Sequence, residues 1–442
     1  MNTMHKDTAT LVEEHSVVEK MKKPVAGGPL KVRNFQFLFG GQTISVIGDA
    51  LYLVALPWLM LTTGGSTQDL GIVLAAYGIP RAVCMLVGGW LSDRLGSRRV
   101  MLIADAVRLL LVTILAAIAL GGHPALWQLC AIAVPLGAFG GAFMPASQAI
   151  LPETLSPDDL QAGNGLMQAS RQGANLIGSA MAGLVVAALT SAAALAIDAG
   201  TFLVSALSLA LMRTTHRSAS STGKQEANRE KSVTEVADKG SRSVQEQVEQ
   251  ISLWRFLRTS GLFQGTLLTF MVIGLVSGGL IEVALPALVH GPMHGDASGF
   301  GIILAAWGAG AFVGAILAGA LGKRKHKGLI MLLAGLLMGA LIALLPIWGI
   351  AIAVVCMLIA GVAGSIVNVF LFTAIQRAIP SHLMGRVMGL LLFGSFGVYP
   401  LSVTLAGVLS DHLGPAVFFP FGGLLLALAM LLGMTQREFR EI

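Results

Sequence analysis

A run of about twenty apolar residues is long enough, as a helix, to cross the hydrocarbon of a bilayer, and this 442-residue chain contains twelve such runs. They fall at residues 35–62, 69–92, 99–121, 126–149, 164–189, 192–212, 262–288, 299–322, 328–347, 350–373, 387–409 and 414–434. Lipid offers no partner to backbone N–H and C=O groups, so each run must satisfy its own by folding as a helix. The expected fold class is an all-α membrane protein of twelve transmembrane helices, here spans 1 to 12. Composition agrees, with 55% hydrophobic and 12% charged residues against about 25% charged in soluble domains; a purely soluble protein is excluded. Cys84, Cys130 and Cys356 lie inside apolar runs with no pairing pattern, so neither a disulfide framework nor a thiolate metal site is encoded.

The net charge of +6 is distributed as membrane orientation demands, not as a nucleic-acid surface. Lys and Arg number six in the N-terminal tail, three in loop 2–3, nine in loop 6–7, four in loop 8–9, two in loop 10–11 and two in the C-terminal tail. The rest of the 29, Arg81, Arg108 and Arg171, lie within spans, and the loops of the opposite side carry none. Both termini are therefore expected on the cytoplasmic side of the cell membrane. Lys20, Lys22 and Lys23 precede no apolar core or small-residue cleavage site, so the N-terminal tail is not read as a signal peptide. Residues 214–258, rich in Ser, Lys, Glu and Gln, divide six spans from six. Val244, Val248, Ile251, Trp254 and Leu257 in that linker have helical apolar spacing, which fits either an amphipathic helix on the inner leaflet or a solvated loop. The expected organisation is a tail over 1–33, one six-helix bundle over 34–213, the linker over 214–258, a second bundle over 259–434 and a tail over 435–442.

The halves echo one another. Gly89, Leu91, Arg94, Met101 and Leu102 recur at a constant offset as Gly319, Leu321, Arg324, Met331 and Leu332, and Gly165-Leu166 recurs as Gly389-Leu390. Two repeated bundles with a pathway between them is a transporter's architecture. The segment Gly89-Trp-Leu-Ser-Asp93-Arg94-Leu-Gly96-Ser97-Arg98-Arg99 resembles the signature loop between helices 2 and 3 of the major facilitator superfamily. Ile44-Ser-Val-Ile-Gly48-Asp49, Phe143-Met-Pro145-Ala146 with Leu151-Pro152, and Gly385-Arg386-Val387-Met388-Gly389 are similar to its macrolide-efflux and enterobactin-exporter branch of drug:proton antiporters. Ser97 departs from the usual basic residue, and Gly178-Ser-Ala-Met-Ala-Gly183 departs from the glycine-proline element associated with export. The resemblance implies a cytoplasmic latch, in which Asp93 meets the positive N-terminal end of span 11 near Gly385 and Arg386. Arg94 and Arg98 would pair with nearby acids including Asp105, and Gly96 would permit the turn. The alternative is a basic loop that only fixes orientation.

A charge in mid-bilayer costs about 2.5 to 3.5 kcal/mol on insertion scales, so each one needs a partner or a function. Gln42, Ser45, Asp49 and Tyr52 share one face of span 1, and Arg81 in span 2 lies at similar depth. An Asp49–Arg81 pair is expected, either as a proton-coupling element or as a fixed ion pair. Asn164, Gln168, Arg171 and Asn175 form a polar stripe on span 5 that lines the substrate cavity or a helix contact. Glu282 in span 7 and Asn368 in span 10 are further cavity candidates, whereas Asp198 in span 6 is expected near the interface. The glycines Gly310, Gly314 and Gly319 read as close helix packing.

No ATP-binding or hydrolase motif is present, so no enzyme activity and no cofactor is expected. The expected function is proton-coupled efflux of amphipathic small molecules, macrolide-like drugs or siderophores, by alternating access. The expected partners are the substrate, protons and the lipid bilayer, with no nucleic acid, and the protein is expected to act as a monomer. Alternatives are a lysophospholipid or lipid flippase and a membrane sensor or scaffold that moves nothing.

Overall fold

The computed structural model describes residues 28–122, 124–156, 159–212, 258, 260–321, 326–347, 349–378 and 384–435. Among these residues no strand occurs, and twelve spans follow one another. The N-terminal half contains span 1 (Arg33–Thr62), span 2 (Thr67–Leu95), span 3 (Ser97–Leu120), span 4 (Leu126–Thr154), span 5 (Leu160–Ala188) and span 6 (Ser191–Leu211). In the C-terminal half, span 7 runs as Gly261–Gly279, a π turn over Leu280–Ala284, and Leu285–His290. Span 8 (Ala297–Leu321), span 9 (Lys327–Leu344), span 10 (Ile350–Ala378), span 11 and span 12 (Phe418–Thr435) follow. Span 11 is two helices, Met384–Gly397 and Tyr399–Leu413, broken where Pro400 cannot donate a backbone hydrogen bond. Neither the π turn nor this break was expected from apolar run lengths. Eleven spans are long and apolar enough to cross a membrane; span 5 has the length, but its polar stripe lowers its hydropathy. The proposed amphipathic helix at 244–257 lies outside the described residues.

Span 6 packs against both span 1 and span 3, and span 2 packs against span 4. Spans 8 and 10, and spans 9 and 12, pair in the second half. Between halves the contacts run through spans 2 and 11 and through spans 5 and 8. The end that the Lys and Arg count assigns to the outside is called the outer end below. There, one apolar core crosses both halves, joining Leu56, Leu70 and Val186 to Leu288, Phe300 and Val403. At the inner end the core splits in two. Phe35, Met101 and Ile150 close one half, and Phe263, Met331 and Phe370 close the other. Among the described residues, burial of apolar surface thus joins the halves at the outer end and forms a separate core in each half at the inner end.

Just outside span 8, Asp296 caps the helix by accepting from Gly299 N–H at 2.9 Å and from Ser298 Oγ at 2.6 Å. These bonds hold its carboxyl below the usual carboxylate range, the Ser298 hydroxyl contributing most. A depressed folded-state pKa gives stability that is present above the unfolded value of about 3.9 and is lost as pH falls through the folded one. Asp296→Ala is therefore expected to lose about 0.5–1 kcal/mol at neutral pH. In pH-dependent thermal unfolding in detergent, the difference from wild type is expected to shrink below about pH 4.

Candidate functional site: a charged cavity between the halves

Close helix contacts set the floor of the site. Gly137 and Gly141 of span 4 face the backbone of Tyr77 and Arg81 with no room for a Cβ, which seats span 2 deeply and turns both side chains toward the centre. Gly48 does the same between spans 1 and 6, lying directly against Asp198 and Thr201. The mid-membrane charges of this half are therefore packed by glycine, not by chance proximity.

Arg108 of span 3 organises them. Its Nη2 donates to Asp49 Oδ1 at 3.0 Å, and its Nη1 lies 3.8 Å from Asp105 Oδ1. The guanidinium stacks over Phe202 at 4.3 Å, a cation–π contact that a desolvated site strengthens. Ser205 Oγ donates to Asp105 Oδ2 at 2.6 Å. Asp105 is fully buried, whereas the Asp49 side chain is 46% exposed. The expected Asp49–Arg81 pair is thus corrected: Arg108 takes the carboxylate because span 6 packs against both span 1 and span 3. Arg81 instead lies over the ring of Tyr77 at 5.4 Å and donates to its hydroxyl at 3.3 Å. Asp198 is corrected too, being 1% exposed inside the bundle with no described donor at Oδ2. Gly48 makes the space that admits it.

A cavity of about 500 Å³ lies between the halves, lined by Asp49, Arg81, Arg108, Asn175, Glu282 and Trp307 among others. All three tyrosines of the chain, Tyr52, Tyr77 and Tyr399, line it. Tyr399 donates a short hydrogen bond to Glu282, which the π turn of span 7 carries; π turns of this kind recur at functional sites. Arg171 donates to Gln42 at 3.2 Å in an adjoining recess. The span 5 stripe divides. Asn175 faces the large cavity and Arg171 the recess, while Asn164 and Gln168 are exposed and line neither. Asn368 is exposed and does not line the cavity.

Among the gate candidates, Gly96 turns the chain with φ +85°, a conformation that favours glycine. Arg94 stacks on Trp90 at 4.2 Å. Arg98 donates to the carbonyls of Leu209 and Ala210 at 2.7 and 2.8 Å, capping span 6. Among the described residues neither arginine takes an acid, because Asp105 is buried about two turns deeper along span 3 with Arg108. Ser97 donates to Glu153 of span 4. Asp93 is exposed, and Gly89 has open space beside it. Arg386 lies in span 11, with its side chain outside the described ones. Sequence reading missed Arg108, Tyr77, Trp307 and Tyr399; the usable signal was Arg108 itself, a mid-span charge left without an assignment.

The sequence profile of the Major Facilitator Superfamily matches residues 38–402. The multidrug efflux pump Tap of Mycobacterium tuberculosis (strain ATCC 25618 / H37Rv) is 30% identical over 382 residues, covering 84% of this chain and 85% of that protein. The enterobactin exporter EntS of Salmonella typhi is 26% identical over 416 residues, covering 92% and 94%. A crystal structure of the nucleoside transporter NupG superposes with a TM-score of 0.67 at 12% identity, covering 91% of this chain and 99% of that one. A bacterial homologue of the iron transporter ferroportin in its inward-facing state superposes with a TM-score of 0.64 at 14% identity, covering 91% and 98%.

Proposed function

The chain belongs to the Major Facilitator Superfamily, and on that premise we propose that it exports bulky amphipathic molecules from the cytoplasm in exchange for protons. It is a multi-pass membrane transporter and not an enzyme. The observation that carries the proposal is the cavity, which combines Tyr52, Tyr77, Tyr399 and Trp307 with Asp49, Arg81, Arg108 and Glu282. Aromatic faces accept varied apolar bodies, and charges of both signs orient a polar end. Efflux relatives such as the multidrug pump Tap and the enterobactin exporter support the direction.

Alternating access is supported by the core that joins the halves only at the outer end. Rocking about the cavity would close the inner end and part the outer one. In this orientation both termini are cytoplasmic, and one chain suffices because the cavity lies between its own halves.

Proton exchange is supported at Asp49, whose carboxylate is both ion-paired and open to the cavity. Arg108 holds it at pairing distance, and Arg81 and Arg171 act on it from farther away. A change in water access or a cationic ligand alters this balance of charges. In liposomes with an imposed pH gradient, wild type is expected to move ethidium against its concentration gradient. Asp49→Asn is expected to equilibrate it only passively. Equal gradient-driven movement by both would remove Asp49 from the coupling and move the search to Glu282. Absence of any ethidium movement by wild type would count against drug efflux itself.

A further inference from the structure

The inner-end motif has a second copy at the opposite end of the membrane. Gly89-Trp-Leu-Ser-Asp93-Arg-Leu-Gly96 closes span 2, and Gly407-Val-Leu-Ser-Asp411-His-Leu-Gly414 closes span 11. The two differ only at the Trp/Val and Arg/His positions. Both end on a glycine at φ +85° that caps the helix by bonding back to the motif serine's carbonyl. Because spans 2 and 11 run in opposite positions across the interface between the halves, the two copies stand at opposite ends of the same helix pair.

The copies differ in state. Thr67 Oγ, in the first turn of span 2, shares its proton between Asp411 Oδ1 and the Gly407 carbonyl, both at 3.3 Å. A Cβ on Gly407 would lie 2.8 Å from the Thr67 carbonyl and 3.1 Å from Gly71 Cα, so backbones touch there. Asp411 thus sits at the N-terminal end of span 2, beside the capping box of Ser66 and Asp69, where the helix dipole favours an acid. At the inner copy, a Cβ on Gly89 would meet no described atom within 4 Å, and Asp93 has no described partner. The spacing is kept in the helix it would face. Gly385 and Gly389 open span 11 at the four-residue separation of Thr67 and Gly71 in span 2.

We propose that Asp411, Gly407 and Thr67 form an outer latch, the counterpart of the Asp93 loop, so that one copy engages when the other releases. Each acid stabilises one end state through the first turn of the partner helix. This rests on the alternating-access reading above. Asp411 is a positioning residue: it touches no substrate and sets how long the outer end stays closed.

The test is a distance measurement by pulsed electron paramagnetic resonance on the full chain in nanodiscs. Spin labels are placed at Thr62 and Ile347, exposed outer-end positions in different halves, with Cys84, Cys130 and Cys356 replaced by alanine. Wild type with ethidium is expected to show a short and a long distance. Asp411→Asn and Thr67→Val are each expected to raise the long-to-short ratio about two- to five-fold, the range of a single acid at a helix N-terminus. Asp93→Asn is expected to lower it. If wild type shows both distances and Asp411→Asn and Thr67→Val leave the ratio unchanged or move it as Asp93→Asn does, the outer latch is overturned and alternating access stands. A single unchanging distance in wild type, with ethidium and across acid and alkaline pH, overturns alternating access and the latch together.

Discussion

Replacing Arg108 by glutamine is expected to destabilise the fold by about 3–5 kcal/mol, the cost of leaving a buried ion pair without one partner. The residue is almost fully buried and serves two carboxylates at once, Asp49 at 3.0 Å and Asp105 at 3.8 Å. Asp105 is the decisive partner. It has no exposed surface, and its one described hydrogen bond comes from Ser205, so loss of the guanidinium leaves a carboxylate in an apolar interior. Lysine is expected to restore little, because the planar group also stacks on Phe202 and a point charge does not reproduce that contact. Thermal unfolding in detergent, followed by tryptophan fluorescence, measures the loss. The mechanism makes a second demand: Arg108→Gln combined with Asp105→Asn should be more stable than Arg108→Gln alone, since removing both charges relieves the uncompensated one. If the double variant is additively worse, Arg108 acts through packing on Phe202 and not through charge.

Much of the fold was legible because lipid imposes it. Twelve apolar runs follow from the thickness of a bilayer, and each of them is a helical span. Span ends moved by a few residues, since amphipathic ends such as Asp93 to Leu95 continue the helix beyond the apolar core. Side-chain partners were less legible. Asp49 was recognised as a mid-span acid, yet depth alone could not choose between Arg81 and Arg108. That choice depends on span 6 packing against both span 1 and span 3, and Gly48 permits the approach of span 1 to span 6. The span 5 stripe shows the same limit: helical spacing put Asn164, Gln168, Arg171 and Asn175 on one face, but the halves diverge along that face, so only its outer part meets the cavity. Glu282 was visible as a charge, whereas the π turn that carries it and the Tyr399 hydroxyl that binds it come from different spans.

Enlarging Gly301 to leucine is expected to abolish ethidium transport while leaving each six-helix half folded. Gly301 begins span 8 at the outer end and meets span 5 of the other half. A Cβ there would lie 2.6 Å from Gly183 Cα and 2.9 Å from the Ser179 carbonyl. Both are backbone atoms, so no side-chain rotation relieves the clash. Reciprocally, a Cβ on Gly183 would meet the Ala297 carbonyl at 2.7 Å. Overpacking of this kind costs about 1–3 kcal/mol, and the softest response is to part the halves rather than to distort either bundle. Such a penalty on the outer-closed state shifts the equilibrium between states about 5- to 150-fold. The long Thr62–Ile347 distance should then dominate even without substrate, and transport should fall to the passive level because the cavity no longer returns to the inner side. Gly200→Leu is the control, since no atom lies within 4 Å of a Cβ at that position of span 6; it should keep wild-type transport and distances. Wild-type transport by Gly301→Leu would mean that spans 5 and 8 need not touch at any point in the cycle, and the joined outer core would then be a resting contact and not a gate.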